Sequence, residues 1–364
     1  MPGPGKTPVG VARFAGRAAR GVVECVDVRR EPERLREDGP WFVVADFDGP
    51  QDGGRARAWR FAERVDPDDV RPDPDAPGWR GPDPRSWTSS LDRAAYESAV
   101  ARVRDEVREG EVYQANVCRV LAAPLAPGGG EEPDALALAA RLARGNPAPY
   151  AGVLHVPAGG GVEPAWVVSA SPELYLGLSD GVLASGPIKG TASTAGGLTA
   201  KDRAENVMIT DLVRNDLQRV CAPGTVEVTD LLAVEAHPGL VHLVSRVAGR
   251  VRDDVLAAPD RWARVLDATF PPASVSGAPK SSALRVIAAL ETAPRGPYCG
   301  AVGWVDGEEA VLAVGIRTFW WADGVLRFGT GAGITWGSDP AREWEETELK
   351  ARRLVGLASG TLDP

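Results

Sequence analysis

The feature that most limits how this chain can fold is the number of strand-length apolar segments relative to helices. VYQANVCRVL, AWVVSA, LYLGL, AVGWV, AVLAVGIRTFWW and VLRFG are rich in β-branched, aromatic and leucine residues and read as strands. Helical spacing is found near 133–144, 200–219, 259–268, 280–291 and 341–356, so strands outnumber a simple βαβ alternation. Residues 1–88 hold the short apolar runs WFVVADFDG and AWRFAERV, then the Pro/Asp-rich stretch DPDDVRPDPDAPGWRGPDPRSW, which predicts a few strands followed by an irregular connection. From residue 89 the segment SSLDRAAYESAVARVRDEVREGE places Leu91, Ala95, Val100, Val103 and Val107 at helical spacing, with Gly110 as a stop. The main body, 89–364, is taken to begin there. PLAPGGGEEPD and VPAGGGVEP read as surface insertions, and no internal repeat is present.

Composition excludes several classes of function. The net charge is −9 with no Lys/Arg cluster, so nucleic acid is not an expected partner. No run of about eighteen apolar residues that would span a membrane is present. The start carries no continuous apolar region, and a soluble, cytoplasmic protein is expected. Cys25, Cys118, Cys221 and Cys299 lack CxxC spacing, which predicts reduced thiols rather than zinc ligands or a disulfide framework. Of 41 basic residues only Lys6, Lys189, Lys201, Lys280 and Lys350 are lysines. Arginine is the default cation here, so a retained lysine draws notice: an ammonium can lose its proton and a guanidinium cannot.

Two helices each carry an acidic pair. In GLTAKDRAENVMITDLVRNDLQRV, Thr199 is the expected N-cap, the apolar face is read through Ala204, Val207, Met208 and Leu212, and Asp202 and Glu205 share a face. Asp202 either completes a capping box or joins Glu205 in a site. In SDPAREWEETELKARRL, Ser338 or Asp339 opens the helix, Glu343 and Glu346 stand three apart, and Lys350 follows one turn later. Carboxylates converging from two helices suit a hard cation such as Mg²⁺, although such pairs are also common on solvated faces. SVSGAPK feeds a helix at Lys280, but Pro279 stands where a Walker loop needs Gly, so nucleotide binding is not expected. Gly329, Gly331 and Gly333 follow a strand without forming GxGxxG; they make either a tight turn or a close approach to a small anion. Lys189, in GPIKGT, is either a surface lysine or a nucleophile that needs desolvation or cationic neighbours. His242 in VHLVSRV reads as a core residue or a catalyst.

Taken in order, GEVYQANVCR, SASPELYL, GPIKGT, AKDRAENVMITDLVRNDL, VHLVS, SVSGAPK, PYCGAVGW, GIRTF, GTGAGI and SDPAREWEETELK resemble the motif set of the chorismate-utilising enzymes. That family includes the anthranilate, aminodeoxychorismate, isochorismate and salicylate synthases. The resemblance covers about residues 89 to 356. It implies an α/β (α+β) fold in which a two-sheet β-sandwich is flanked by helices, with the N-terminal lobe, 1–88, extending the sandwich.

Further implications attach residue by residue. Isochorismate-type relatives carry a lysine base where this chain has Gln114, and an amide cannot take a proton from water at neutral pH. PIKGT is similar to the aminodeoxychorismate synthases, in which the lysine, here Lys189, attacks ring C2 and expels the C4 hydroxyl before ammonia displaces it. Glu173 resembles the acid that assists the hydroxyl, and His242 a residue at the reacting face. Glu205 and Glu346 resemble Mg²⁺ ligands, with Glu343 and Asp202 nearby. Gly190, Thr191, Ser276, Tyr298, Arg317, Gly331, Gly333 and Lys350 resemble substrate-binding positions. The implied partners are chorismate, ammonia and a separate glutamine amidotransferase subunit; the implied pathway leads to p-aminobenzoate and folate. Anthranilate synthase component I, a chorismate aminase of secondary metabolism and a silent amidotransferase-binding homologue are the alternatives. Two departures stand out, Pro272-Ala273 in place of Gly-Gly and Ala192-Ser193 in place of Arg-Pro. No LLES-like string is present, so inhibition by tryptophan is not expected.

Overall fold

The computed structural model describes residues 10–37, 39–49, 53–72, 78–127, 131–192, 194–237 and 240–364. Lys6, Ser193 and parts of the Pro/Asp-rich stretch and of the PLAPGGGEEPD loop lie outside them, as does the side chain of Thr191. The chain begins with four strands, β1 (Val11–Phe14), β2 (Arg17–Asp27), β3 (Trp41–Ala45) and β4 (Ala56–Val65). After the two-residue β5 (Thr88–Ser89) come α1 (Arg93–Arg108), β6 (Gln114–Pro124), α2 (Ala135–Gly145), β7 (Tyr150–Val156), β8 (Ala165–Ser171) and β9 (Leu174–Ser179). The middle of the chain forms β10 (Val182–Gly186), β11 (Ile188–Ala192), α3 (Ala200–Gln218), β12 (Glu227–His237), β13 (Leu240–Arg250), α4 (Asp253–Leu256) and α5 (Arg261–Thr269). The last third holds β14 (Gly277–Ala278), α6 (Lys280–Leu290), β15 (Ala301–Asp306), β16 (Glu309–Val314), β17 (Thr318–Ala322), β18 (Val325–Ile334) and α7 (Pro340–Ala358).

Every ladder among these strands is antiparallel, and the ladders form one unbroken path. It runs from β12 through β13, β10, β9, β16, β15 and β3 to β4. It continues through β2, β1, β7, β8, β17 and β18 to β6. The two halves of this path pack on each other. Phe14, Phe42, Val44, Trp59, Phe61, Leu154, Val167 and Trp304 form a core contributed by both. The other faces are covered by helices, with α3 and α5 over one core and α2 and α7 over another. Strand β3, WFVVA, shows why both layers are needed. Trp41, Val43 and Ala45 point to the helical side and Phe42 and Val44 to the inter-sheet side, so a strand with no polar residue is buried on both faces. The α/β, two-layer architecture expected from the resemblance is the one observed.

Several local readings are corrected. AVLAVGIRTFWW is two strands, because Gly315 lies so close to the Pro297 carbonyl that a Cβ would sit 2.0 Å from it, and Arg317 turns the chain at φ +52. The buried face of α3 runs through Asn206, Ile209, Thr210, Val213, Asp216 and Leu217, while Ala204 and Val207 are exposed. The polar members of that face defeat a purely apolar periodicity. On α1 it is Tyr96 and Ala99, not Ala95, that join Val100 and Val103 in the core. Thr199 caps α3 and Asp339 caps α7. The four cysteines form no disulfide.

Candidate functional site

The floor of the site is the β6–β18 ladder. Its register places Gly329, Gly331 and Gly333 opposite Val120, Cys118 and Asn116, so the glycines share one face of the pleat. Each is required by what stands above it. A Cβ on Gly329 would meet the Tyr298 ring at 2.0 Å, and one on Gly331 would meet Cys118 Sγ and the Val117 carbonyl at 2.6 Å. A Cβ on Gly333 would lie 2.8 Å from both Gln114 Nε2 and Lys189 Nζ. Two residues 75 positions apart by subtraction of their numbers, Gln114 and Lys189, are thus brought to one point. Gln114 is fully buried, and neither its amide nitrogen nor its oxygen has a hydrogen-bond partner among the described residues. Leaving such a group unpaired costs about 1–3 kcal/mol, the kind of penalty a native fold retains where a ligand completes the bonding. Gly333→Ala is expected to lower turnover about 10²-fold by displacing the lysine, with the melting temperature little changed. Steady-state kinetics beside thermal melting checks this.

Lys189 reaches that point because β11 is irregular. Its register against β13 slips between Ile188 and Thr191, and Gly190 adopts φ +92 with Asp202 Cβ only 2.8 Å from where a Cβ would stand. Asn206 on α3 donates to the Leu243 carbonyl at 2.9 Å and the Lys189 carbonyl at 3.5 Å, and Ser245 donates back to Asn206. This buried amide ties α3, β11 and β13 together under the lysine.

Glu173, between β8 and β9, is 4% exposed. Burial pushes its carboxyl up to about 7, against the opposing pull of a Ser274 hydrogen bond, the Lys189 charge, the Ile188 backbone N–H and Arg317. Near neutrality it therefore holds a proton much of the time, as a general acid must. Burial lowers the Arg317 guanidinium, with Glu173 resisting.

The acidic pairs of α3 and α7 face one another across Lys201. Its ammonium is 3.6 Å from Glu205 Oε1 and 3.9 Å from Glu343 Oε1. Burial raises Glu343, against a Ser338 hydrogen bond and aided by Glu346. Burial pushes Glu346 upward too, but Lys350 above all, with Lys189 and Lys201, brings it below the ordinary carboxylate value. Lys350 Nζ bonds Glu346 at 2.6 Å and the Gly331 carbonyl at 3.0 Å, linking α7 to the glycine floor. Asp202 closes a capping box, accepting from Thr199 N at 2.8 Å and Thr199 Oγ1 at 2.6 Å.

Among the described residues no group of three or more His, Cys, Asp or Glu stands close enough to cage a metal. Mg²⁺ asks for less, since it keeps waters and takes one or two carboxylates together with substrate oxygens. The buried Glu205 Oε1, which has no hydrogen-bond partner among the described residues, fits that donor role.

The remaining expected residues are less directly placed. His242 is buried on β13, opposite Thr191 and Glu235 in the register. Ser276 is buried and donates its hydroxyl to the Pro272 carbonyl at 3.0 Å. The Tyr298 hydroxyl oxygen accepts from the Cys118 thiol at 3.9 Å. Sequence reasoning gave no role to Lys201, Asn206 or Ser274. Only Lys201 carried a signal, the scarcity of lysine.

A family model for chorismate binding enzymes matches residues 48–356. The chain belongs to that family. Anthranilate synthase component 1 of Saccharolobus solfataricus is 34% identical over 281 residues, covering 74% of this chain and 63% of the relative. Aminodeoxychorismate synthase component 1 of Salmonella typhimurium is 33% identical over 283 residues, covering 74% and 59%. The chain thus spans about 59–63% of the length of these two relatives. Among solved structures, anthranilate synthase component I of Streptococcus pneumoniae superposes with a TM-score of 0.74 at 22% identity, covering 96% of this chain and 91% of that one. The menaquinone-specific isochorismate synthase of Escherichia coli gives 0.74 at 21% identity, covering 96% and 88%. These two likenesses show the fold.

Proposed function

We propose that this family member aminates chorismate at C4, using ammonia delivered by a separate glutamine amidotransferase, to give 4-amino-4-deoxychorismate. The observation that carries the reading is the meeting of Lys189 Nζ and the Gln114 amide over Gly333. In this reading Lys189 is the amine that attacks the ring, and Gln114 is an amide at the position where a water-activating base would be needed. In the proposed reaction the Lys189 amine bonds to ring C2, the double bonds shift, and the C4–O bond breaks as Glu173 gives its proton to the departing hydroxyl. Ammonia then bonds to C4, the double bonds shift back, and Lys189 leaves as the amine. In this reading Arg317 grips a carboxylate of the substrate in bidentate fashion. Glu205 and Glu346, with Glu343 and Asp202 beside them, would hold Mg²⁺, which when bound supplies positive charge for the ring carboxylate. Lys201 lies within ion-pair distance of both Glu205 and Glu343.

The relatives named anthranilate synthase component 1 favour a second reading, amination at C2 with loss of pyruvate. Pyruvate separates the two. Incubated with chorismate, Mg²⁺ and ammonium, the purified chain is expected to consume chorismate without releasing pyruvate to a lactate dehydrogenase couple. Stoichiometric pyruvate would favour the second reading, and a chain that leaves chorismate untouched would support neither.

A further inference from the structure

Glu173 has two sides. One faces Lys189 and Arg317, where the substrate would sit and seal it from solvent. The other opens on a cavity of about 20 Å³, room for about one ordered water. Ser185 and Ser274 line this cavity near Glu173, and Thr269 and Asp216 bound it elsewhere. Asp216 Oδ2 pairs with Lys280 Nζ at 2.6 Å, and Lys280 also donates to the Thr269 carbonyl at 2.8 Å. The Lys280 side chain is 21% exposed, so the pair spans from the cavity to solvent. Such a buried pair is a weak source of stability, and the reaction above gives neither residue a role.

We infer that Asp216 and Lys280 resupply the proton of Glu173 through this cavity. The inference rests on the reading of Glu173 as the acid. When the C4–O bond breaks, Glu173 is left as a carboxylate beneath the Lys189-bound intermediate. A water in the cavity passes one proton to it and takes one from the Asp216–Lys280 pair, and the pair takes one from solvent at Lys280. Only O–H and N–H bonds change, and no oxidant or reductant is involved. Lys189 and Arg317 face Glu173 from the substrate side. Arg219 acts on Asp216 beside Lys280, and the Tyr175 hydroxyl, bonded to Thr269 Oγ1 at 2.6 Å, lines the same wall. Asp216 and Lys280 act through Glu173 and not on the substrate.

The test is chorismate consumption by the full chain with Mg²⁺ and ammonium, in H₂O and D₂O, for the wild type, Asp216→Asn, Lys280→Met and the conservative Asp216→Glu. The first two variants are expected to lose about tenfold in kcat, less than the ~10² to 10⁴ expected on removing the acid itself, with KM for chorismate unchanged. Their solvent isotope effect should rise, formate or imidazole should restore part of the rate, and Asp216→Glu should keep most of it. Val213→Ile, which adds one methylene to the cavity wall and leaves the ion pair in place, is expected to give the same kinetic pattern and decides the matter if the charge variants do not fold. Unchanged kcat in folded variants, or kcat and KM altered together with no response to D₂O or added acid, would overturn the relay. A wild type that leaves chorismate untouched would overturn the acid role of Glu173 and the relay together, which separates that failure from a failure of the relay alone. Consumption is the readout whichever amino product forms.

Discussion

Lys189→Ala is expected to cut formation of a 4-amino product by at least about 10³-fold, because removing a covalent nucleophile removes the path itself and not one contact along it. The structure makes the substitution clean. Lys189 is anchored through its backbone carbonyl to Asn206, so the β11 irregularity and the Gly190 turn do not depend on its side chain. The variant should melt close to the wild type and bind chorismate with similar KM. Intact-protein mass spectrometry adds a direct readout. Wild type mixed with chorismate and Mg²⁺ without ammonium should carry a covalent ring adduct on Lys189, and the variant should carry none. A variant that retains most of its amination rate would remove the lysine from the mechanism.

The second large effect concerns Glu173. Glu173→Gln keeps the shape and can still accept from Ser274 but has no acidic proton, and it is expected to lose about 10² to 10⁴ in kcat. The wild-type rate should fall as pH rises through about 7, where the buried carboxyl ionises, and this limb should be missing from the variant's residual activity. In the variant, stability should change in the opposite sense to activity. A carboxyl whose folded value is raised from 4.5 to about 7 binds its proton more tightly in the folded state. The wild type is therefore favoured below pH 4.5 and loses that advantage progressively as pH climbs through 7, by up to about 3 kcal/mol. The glutamine carries no such penalty, so the variant should be the more stable protein at pH 8 by denaturant titration. Loss of activity with gain of stability is a pattern that simple misfolding would not produce.

How much of this was legible in the sequence depends on whether a signal was local. The long helices, the caps Thr199 and Asp339, and strands such as VLRFG were readable because capping chemistry and apolar periodicity act within a few residues. Strands β1 and β2, in VARF and RAARGVVECVD, carried too many arginines and alanines to stand out. Their burial against β7 and β4 is a tertiary fact. The α3 face was legible only in part: Met208 and Leu212 do pack against the core, but Asn206, Thr210 and Asp216 are buried for hydrogen bonding, which apolar periodicity cannot register. Lys189, Gln114 and Gly333 were each singled out in the sequence, but their convergence depends on the β6–β18 register and the slip in β11. The cavity behind Glu173 is made by side chains from β9, β10, α3, α5 and the 272–274 turn, and no pattern in any one segment announces it.

The central claim is where the nitrogen goes. Chorismate incubated with the chain, Mg²⁺ and ¹⁵N-ammonium should yield a product that carries the label on ring C4 and keeps its enolpyruvyl group, seen by mass spectrometry and nitrogen–carbon coupling. Label on C2 of an aromatic ring that has lost pyruvate, or an unlabelled isochorismate, would contradict the account.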